Sequence, residues 1–397
     1  MNTLKEKISQ LAIKNHSSVI DFRRYFHQHP ELSGNEEKTA SHIAALLKDW
    51  GISFEAGKGG HGIVAEIDGL LPSEAIVALR ADMDALPITE GTGLDYSSVM
   101  DGVMHACGHD MHMASLLGVA KILNEIRSDF GGKVRLFFQP SEEKYPGGAR
   151  LMIEEGVMDH NIPEAIFAQH VCPDLEAGMV GIKAGKYMAS TDEIYLTVHG
   201  KGGHGGMPEK VIDPVLIASH IVVSLQQIVS RNANPAMPTV VSIGRFIAEG
   251  RTNIIPEQVK MEGTLRTFDE KWRNEVHQII TRMASDIAMS MGGRCEVFID
   301  KGYPYLVNNE ELAKETRQWM VDYLGENKVK DLDLRMTAED FSYFAQMVPG
   351  CFYRLGVRNP SFSSMPGLHS SGFCPDEQSL ITGCGLMAWL AVKRLGF

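Results

Sequence analysis

Ala75-Ile76-Val77-Ala78-Leu79-Arg80-Ala81-Asp82-Met83-Asp84 is the stretch that decides the fold. A near-continuous apolar run is the mark of a strand covered on both faces, and here it opens directly into charged residues. The pattern recurs twice. Val134-Arg-Leu-Phe-Phe138 leads to Gln139-Pro140-Ser141-Glu142-Glu143, and Ala165-Ile-Phe-Ala168 leads to Gln169-His170. Helical stretches such as 113–127 and 148–155 lie between these runs. Alternating strands and helices indicate an α/β protein with a doubly covered, mostly parallel sheet. Ligands of such sheets gather beyond the carboxyl ends of the strands, where these polar clusters fall. His170 is read as ending its strand.

Towards the N-terminus, residues 4–29 read as a helix stopped by His29-Pro30, and 36–50 as a second helix closed by Gly51. The middle of the chain changes character. Segments 193–200, 239–249, 258–266 and 295–300 read as strands, and 214–231 and 271–291 as helices. That β-α-β-β-α-β order is ferredoxin-like. Residues 187–300 are therefore expected to form a domain inserted into a discontinuous one of residues 1–186 and 301–397. A strand at 349–356 follows the insertion, with His369 in the loop beyond it. Two connections around an insertion would allow hinging over a cleft.

Composition narrows the function classes. A chain of 397 residues suggests two domains at roughly 100–200 residues each. With 44% hydrophobic and 22% charged residues it is ordinarily globular. The net charge of −12, without a Lys/Arg cluster, argues against nucleic acid. No run of about 18 apolar residues suggests a membrane span. The N-terminus lacks the apolar core of a signal peptide, and the six cysteines form no disulfide framework. Reduced thiols and a cytoplasmic location are expected.

The densest chemical signal is His105-Ala106-Cys107-Gly108-His109-Asp110-Met111-His112. A thiol, three imidazoles and a carboxylate within eight residues suit a borderline-soft divalent metal. One or two would ligate, while Asp110 and His112 could orient the ligands. Alone, a Cys-x-His is as well explained by a buried thiol at a helix start. Glu142 and Glu143 alone could be a solvated acidic turn. On an extended segment their side chains would point opposite ways, so that one could bind metal and the other serve as general base. His170 and His369 could be ordinary structural histidines, and Asp82 and Asp84 simple turn caps. Their case is joint, because they sit at several strand ends of one sheet. In the inserted segment, Gly200–Pro208 is glycine-dense around His204, a candidate oxyanion stabiliser. Asn253 and Arg266 could bind a substrate carboxylate.

The motifs RADMDALPITE, HACGHDMHMASLLG, FFQPSEE, GGHGGMP, TNIIP, TAEDFSYF and GLHSSGF, in this order along essentially the whole chain, resemble the amidohydrolase branch of the aminoacylase and carboxypeptidase G family. That branch includes hippurate hydrolases, N-acyl-amino-acid and N-acetyldiaminopimelate deacetylases and auxin-conjugate hydrolases. The resemblance implies a zinc-peptidase-like catalytic domain with an inserted ferredoxin-like lid. It implies Cys107, His109, Glu143, His170 and His369 as ligands of two divalent metal ions, zinc or manganese. Glu142 would be the general base, Asp84 would orient a ligand, and His204 and Asn253 would be lid residues. His204 would match a lid histidine that in dimeric relatives can come from the other subunit, and an exposed lid strand edge could support a homodimer. Asp82 stands where related exopeptidases carry a metal histidine, for which Cys107 would compensate. Ser141 stands where alanine is common, a change expected to be without effect. Lys144-Tyr145-Pro146 and Glu209 also depart from the pattern, so specificity does not transfer from any one relative. The implied substrate is a small N-acyl amino acid or peptide-like molecule. The rival readings are a dipeptidase or aminopeptidase of the same fold, and a non-catalytic metal- or conjugate-binding protein.

Overall fold

The computed structural model describes residues 3–361 and 364–397. The chain divides into two compact units. One comprises residues 1–187, 307–333 and 340–397; the other comprises 188–306 together with the short return 334–339.

The larger unit is built on an eight-stranded sheet. Its centre is the strand Leu71–Asp82, with Gly131–Gln139 parallel on one side and Ala165–Glu176 parallel on the other. The chain thus leaves the central strand first towards one flank and later towards the other. That reversal is the switch point at which open α/β sheets leave a crevice. Consecutive buried residues on the central strands, such as Val77, Ala78 and Leu79, or Phe137 and Phe138, show that both faces are covered. Helices Leu4–Gln28, His109–Glu125 and Ser379–Arg394 contribute much of this cover. The first begins with a reciprocal cap: the Thr3 hydroxyl accepts from the Glu6 amide at 3.3 Å, and the Glu6 carboxylate accepts from the Thr3 amide at 2.8 Å.

His170 does not end its strand. Ala165–Glu176 runs six residues further, because it pairs along its other edge with Gly350–Arg358, placing Arg354 opposite His170. The pairing with the central strand stops at Arg80 opposite Ala168. His170 therefore lies just past the end of the central ladder, although it is within a strand.

The smaller unit is a four-stranded antiparallel sheet in the order Thr239–Ile247, Gln258–Thr267, Asp192–His199, Arg294–Lys301. Helices Pro214–Gln227 and Glu270–Ser290 cover one face and close its core over Ile194, Leu196 and Val198. This is ferredoxin-like topology. Among the described residues, no helix is long and apolar enough to cross a membrane.

Candidate metal centre

The helix His109–Glu125 starts at Gly108, whose φ of 87° is comfortable only for glycine. That turn sets Cys107 and His109 at the mouth of the switch point. There, Cys107, His109 and His170 bring one donor atom each within 4.8 Å of one another; so do Cys107, Glu143 and His369, and so do His109, Glu142 and Glu143.

Neighbouring acceptors fix which nitrogen each imidazole presents. His109 Nδ1 donates to the Asp84 carbonyl at 2.8 Å, so its lone pair is on Nε2. His170 Nδ1 donates to the Val171 carbonyl at 2.8 Å, and its Nε2 lies 3.4 Å from Cys107 Sγ. His112 differs. Its Nδ1 is 2.5 Å from the Asp82 carboxylate, and its Nε2 accepts the Val171 N–H at 2.9 Å. Both nitrogens of His112 are engaged, so it braces the strand of His170. Asp110, by contrast, turns away from the cluster, accepting from Arg23 at 2.9 Å and His27 at 2.8 Å. It ties the start of the helix to the first helix of the chain.

The donors fit a cation. His109 Nε2 and Glu143 Oε1 are buried without a hydrogen-bond partner, yet lie 4.0 Å apart. Two buried polar atoms left unmade at one spot are costly unless something bonds to both. His369 Nε2 approaches the same Glu143 oxygen at 3.2 Å. The electrostatics agree. Burial would lower the basicity of His109, but Asp82, Asp84 and Glu143 carry it to about 10. Burial, with Glu143, Glu142 and Asp82, pushes the Cys107 thiol far up. The surroundings are thus strongly negative, and bound cations would favour thiolate and neutral imidazole.

Glu142 and Glu143 both reach the neighbourhood of His109. Opposed side chains were expected of an extended segment, but the strand stops at Gln139 and Ser141 has φ 53°. The bend that follows this left-handed residue breaks the strand alternation, and one oxygen of each carboxylate reaches the same place. Asp84, buried, accepts the Glu142 and Glu143 amides at 3.0 and 2.9 Å and the Ser33 hydroxyl at 2.5 Å. Its carboxylate holds that turn and also lies 3.3 Å from His109 Nδ1. His369 is also left-handed, at φ 60°, and its amide is docked on the Ala106 carbonyl at 2.8 Å.

His204 and Asn253 lie together in the smaller unit. Gly203–His204 pairs with Ile254–Ile255, and the Gly205 amide donates to the Asn253 carbonyl at 2.8 Å. His204 Nδ1 accepts the Gly206 amide at 3.0 Å, which leaves Nε2–H as an exposed donor. Arg266 sits on the sheet strand Gln258–Thr267 opposite Val240.

A deeper layer lies behind these residues. Arg80 is fully buried and donates to Gln139 at 2.7 Å, Asp82 at 2.6 Å and Asp340 at 2.8 Å. Glu36, in a sequence position that reads only as a helix start, holds the Ser141 amide at 2.8 Å.

Comparison with known proteins yields a consistent result. The profile of peptidase family M20/M25/M40 matches residues 78–393. Thermostable carboxypeptidase 1 of Saccharolobus solfataricus is 39% identical over 98% of both chains. N-acetylcysteine deacetylase of Bacillus subtilis is 39% identical over 95% of this chain and 97% of its own. A crystal structure from B. subtilis, described as a dinuclear metal-binding peptidase of the M20 family, superposes with a TM-score of 0.82 at 34% identity. It covers 97% of this chain and 99% of the other.

Proposed function

The chain belongs to peptidase family M20/M25/M40 and is a metal-dependent hydrolase of amide bonds, and we propose that it cleaves N-acyl amino acids, releasing the acyl group as carboxylate and the free amino acid. The observation that carries this reading is the convergence of Cys107, His109, Glu143, His170 and His369, with Glu142 beside them. The N-acetylcysteine deacetylase among the relatives supports the substrate class.

Cys107, His109, Glu143, His170 and His369 would hold two divalent ions. Bound there, the ions would supply Lewis acidity to water and to the substrate carbonyl. We assign the remaining steps to the chain. Glu142, part of the His109 group of donors but not of the His369 group, takes the proton of the attacking water and returns it to the leaving nitrogen. Asp84 positions Glu142 and His109 and does not itself exchange protons. His204, with Nε2–H as donor, stabilises the oxyanion. Asn253 and Arg266 receive the substrate carboxylate. Zinc suits the cysteine donor, and manganese the carboxylates. We further assign the protein to the cytoplasm and to a homodimer through the edge strand Thr239–Ile247, where Phe246 is exposed.

The test is amine release, read by mass spectrometry, from pooled N-acyl amino acids and dipeptides. Zinc- and manganese-loaded protein would be assayed separately, with Glu142→Ala as control. Loss of N-acyl amino acids, absent in the control, is the expected result. Dipeptide cleavage alone would move the protein to the carboxypeptidase side of its relatives. Near-normal turnover by Glu142→Ala would overturn the base assignment.

A further inference from the structure

Three consecutive backbone N–H groups in the loop after strand Gly131–Gln139 donate to buried carboxyl groups. Those of Glu142 and Glu143 go to Asp84, whereas that of Ser141 goes to Glu36 Oε1 at 2.8 Å. The Ser141 hydroxyl lies 3.2 Å from the same Glu36 oxygen. Among the described residues, only Ser141, Asn161 and His369 are non-glycine residues with positive φ. Such a conformation persists where surrounding contacts over-determine it. At Ser141 they are the Glu36 carboxyl group on the amide and hydroxyl, and the Gly148 N–H on the carbonyl at 3.0 Å. Glu36 is fully buried, and its other oxygen has no hydrogen-bond partner. Burial, with Asp84 nearby, pushes its carboxyl up. A polar group kept there against that cost, meeting the backbone of Gly34 and of Glu36 itself as well as the second residue of the loop, ties the start of its helix to that loop.

We propose that Glu36 is a positioning residue for the reaction, fixing the left-handed turn at Ser141 that aims Glu142 and Glu143. The inference rests on the roles given to those two glutamates above. Glu36 itself touches neither substrate nor metal. It acts by removing the alternative in which Ser141 relaxes to an ordinary φ and the segment carrying both carboxylates swings away from His109.

The experiment compares the wild type with Glu36→Ala, Glu36→Gln and the double variant Glu36→Ala/Ser141→Gly. Two readouts are taken: kcat and KM on an N-acyl amino acid, and zinc affinity by competition with a chromogenic chelator. Glu36→Ala should lose about 10–100-fold in kcat and at least about 10-fold in zinc affinity, as is usual when a ligand's support is removed. KM should stay within about threefold. Glu36→Gln keeps an oxygen acceptor for both bonds and should recover most of each loss. Glycine adopts positive φ unaided, so adding Ser141→Gly to Glu36→Ala should restore both quantities substantially. A purely structural Glu36 would not be rescued at Ser141. Unchanged kcat and zinc affinity in Glu36→Ala, or no recovery in the double variant, would overturn the proposal. Should Glu36→Ala not fold, Ser141→Val with Glu36 intact forces the same relaxation and should show the same losses; wild-type behaviour there would overturn it. A wild type that turns over no N-acyl amino acid would refute the substrate reading, while the zinc affinities would still decide the role of Glu36.

Discussion

Replacing Arg80 with methionine should show how much of the site rests on the layer beneath it. Methionine keeps an unbranched apolar stem and removes the guanidinium. In the native protein that group, with no exposed surface, bonds Asp82 at 2.6 Å, Asp340 at 2.8 Å and Gln139 at 2.7 Å. Removing one partner of a buried ion pair costs about 3–5 kcal/mol. Two carboxylates lose their cation here, yet neither becomes bare. Asp82 keeps His112 at 2.5 Å, and Asp340 keeps the Gln139 amide at 2.8 Å and the Ala149 N–H at 3.0 Å. We therefore expect about 4 kcal/mol, not twice that figure. In a unit of this size each kcal/mol moves Tm by about 2–4 °C, so the drop should be about 8–16 °C. The assay is calorimetry and urea unfolding of chelator-treated protein, which keeps metal binding from masking the loss. Adding Asp340→Asn should recover part of the loss, because the uncompensated charge is gone. A loss below about 1 kcal/mol, or strict additivity of the two substitutions, would refute an electrostatic role for Arg80.

Acid should loosen the clamp between the first helix and the loop at residues 90–98. Burial opposes ionisation of Glu90, but His27, the Ser98 amide and Thr92 hold its carboxyl down at about 2. A depressed carboxylate contributes stability above its ordinary pKa of about 4.5 and loses it as pH falls towards 2; discounted for partial solvent exposure, this is about 1–2 kcal/mol. Glu90→Gln should flatten that acid limb in a Tm-versus-pH series, and an unchanged limb would exclude Glu90 as its source. Gly148→Ala should disorganise the glutamate loop, since a Cβ there would stand 1.7 Å from the Pro140 carbonyl oxygen. A kcat loss of at least about tenfold is expected, and wild-type kinetics would show that the backbone gives way. Chelator treatment should lower Tm, with zinc or manganese restoring it in a concentration-dependent way; a metal-independent Tm would count against the assigned ligands.

What could be read from sequence follows a physical divide. Apolar runs such as Ala75–Leu79 and 134–138 announce themselves because a doubly covered strand has little use for polar side chains. The ligand candidates announce themselves because thiol, imidazole and carboxylate seldom crowd together without a purpose. The return of residues 334–339 to the smaller unit carries no such mark: it includes backbone contacts such as the bridge between Met188 and Arg335, which hardly depend on the side chain. Ser379–Arg394 is apolar nearly all round, and burial on every side erases the periodicity by which helices are read. Ser141 was expected to be inconsequential as a change of side chain. Its importance lies in φ, which a serine does not advertise.

The same divide explains why the second layer is invisible. Glu36, Arg80 and Asp340 lie far apart in the chain: Glu36 reads as a helix start, Arg80 as a strand end, and Asp340 falls within the TAEDFSYF motif. The motifs mark Arg80 and Asp340, yet nothing in their own neighbourhoods says what they hold. Each becomes meaningful only when the parallel ladder sets Asp82 opposite Gln139 and thereby stacks the loops that follow. Direct ligands must be of a few chemical types, and so are recognisable one at a time. Supporting groups need only satisfy a hydrogen bond at a particular place, which many residues can do. A reading of residues can thus find the atoms that would meet the metals, whereas the reason those atoms stay put is a property of register. In this protein that property reduces to two buried carboxyl groups, Glu36 and Asp84, holding three successive amides.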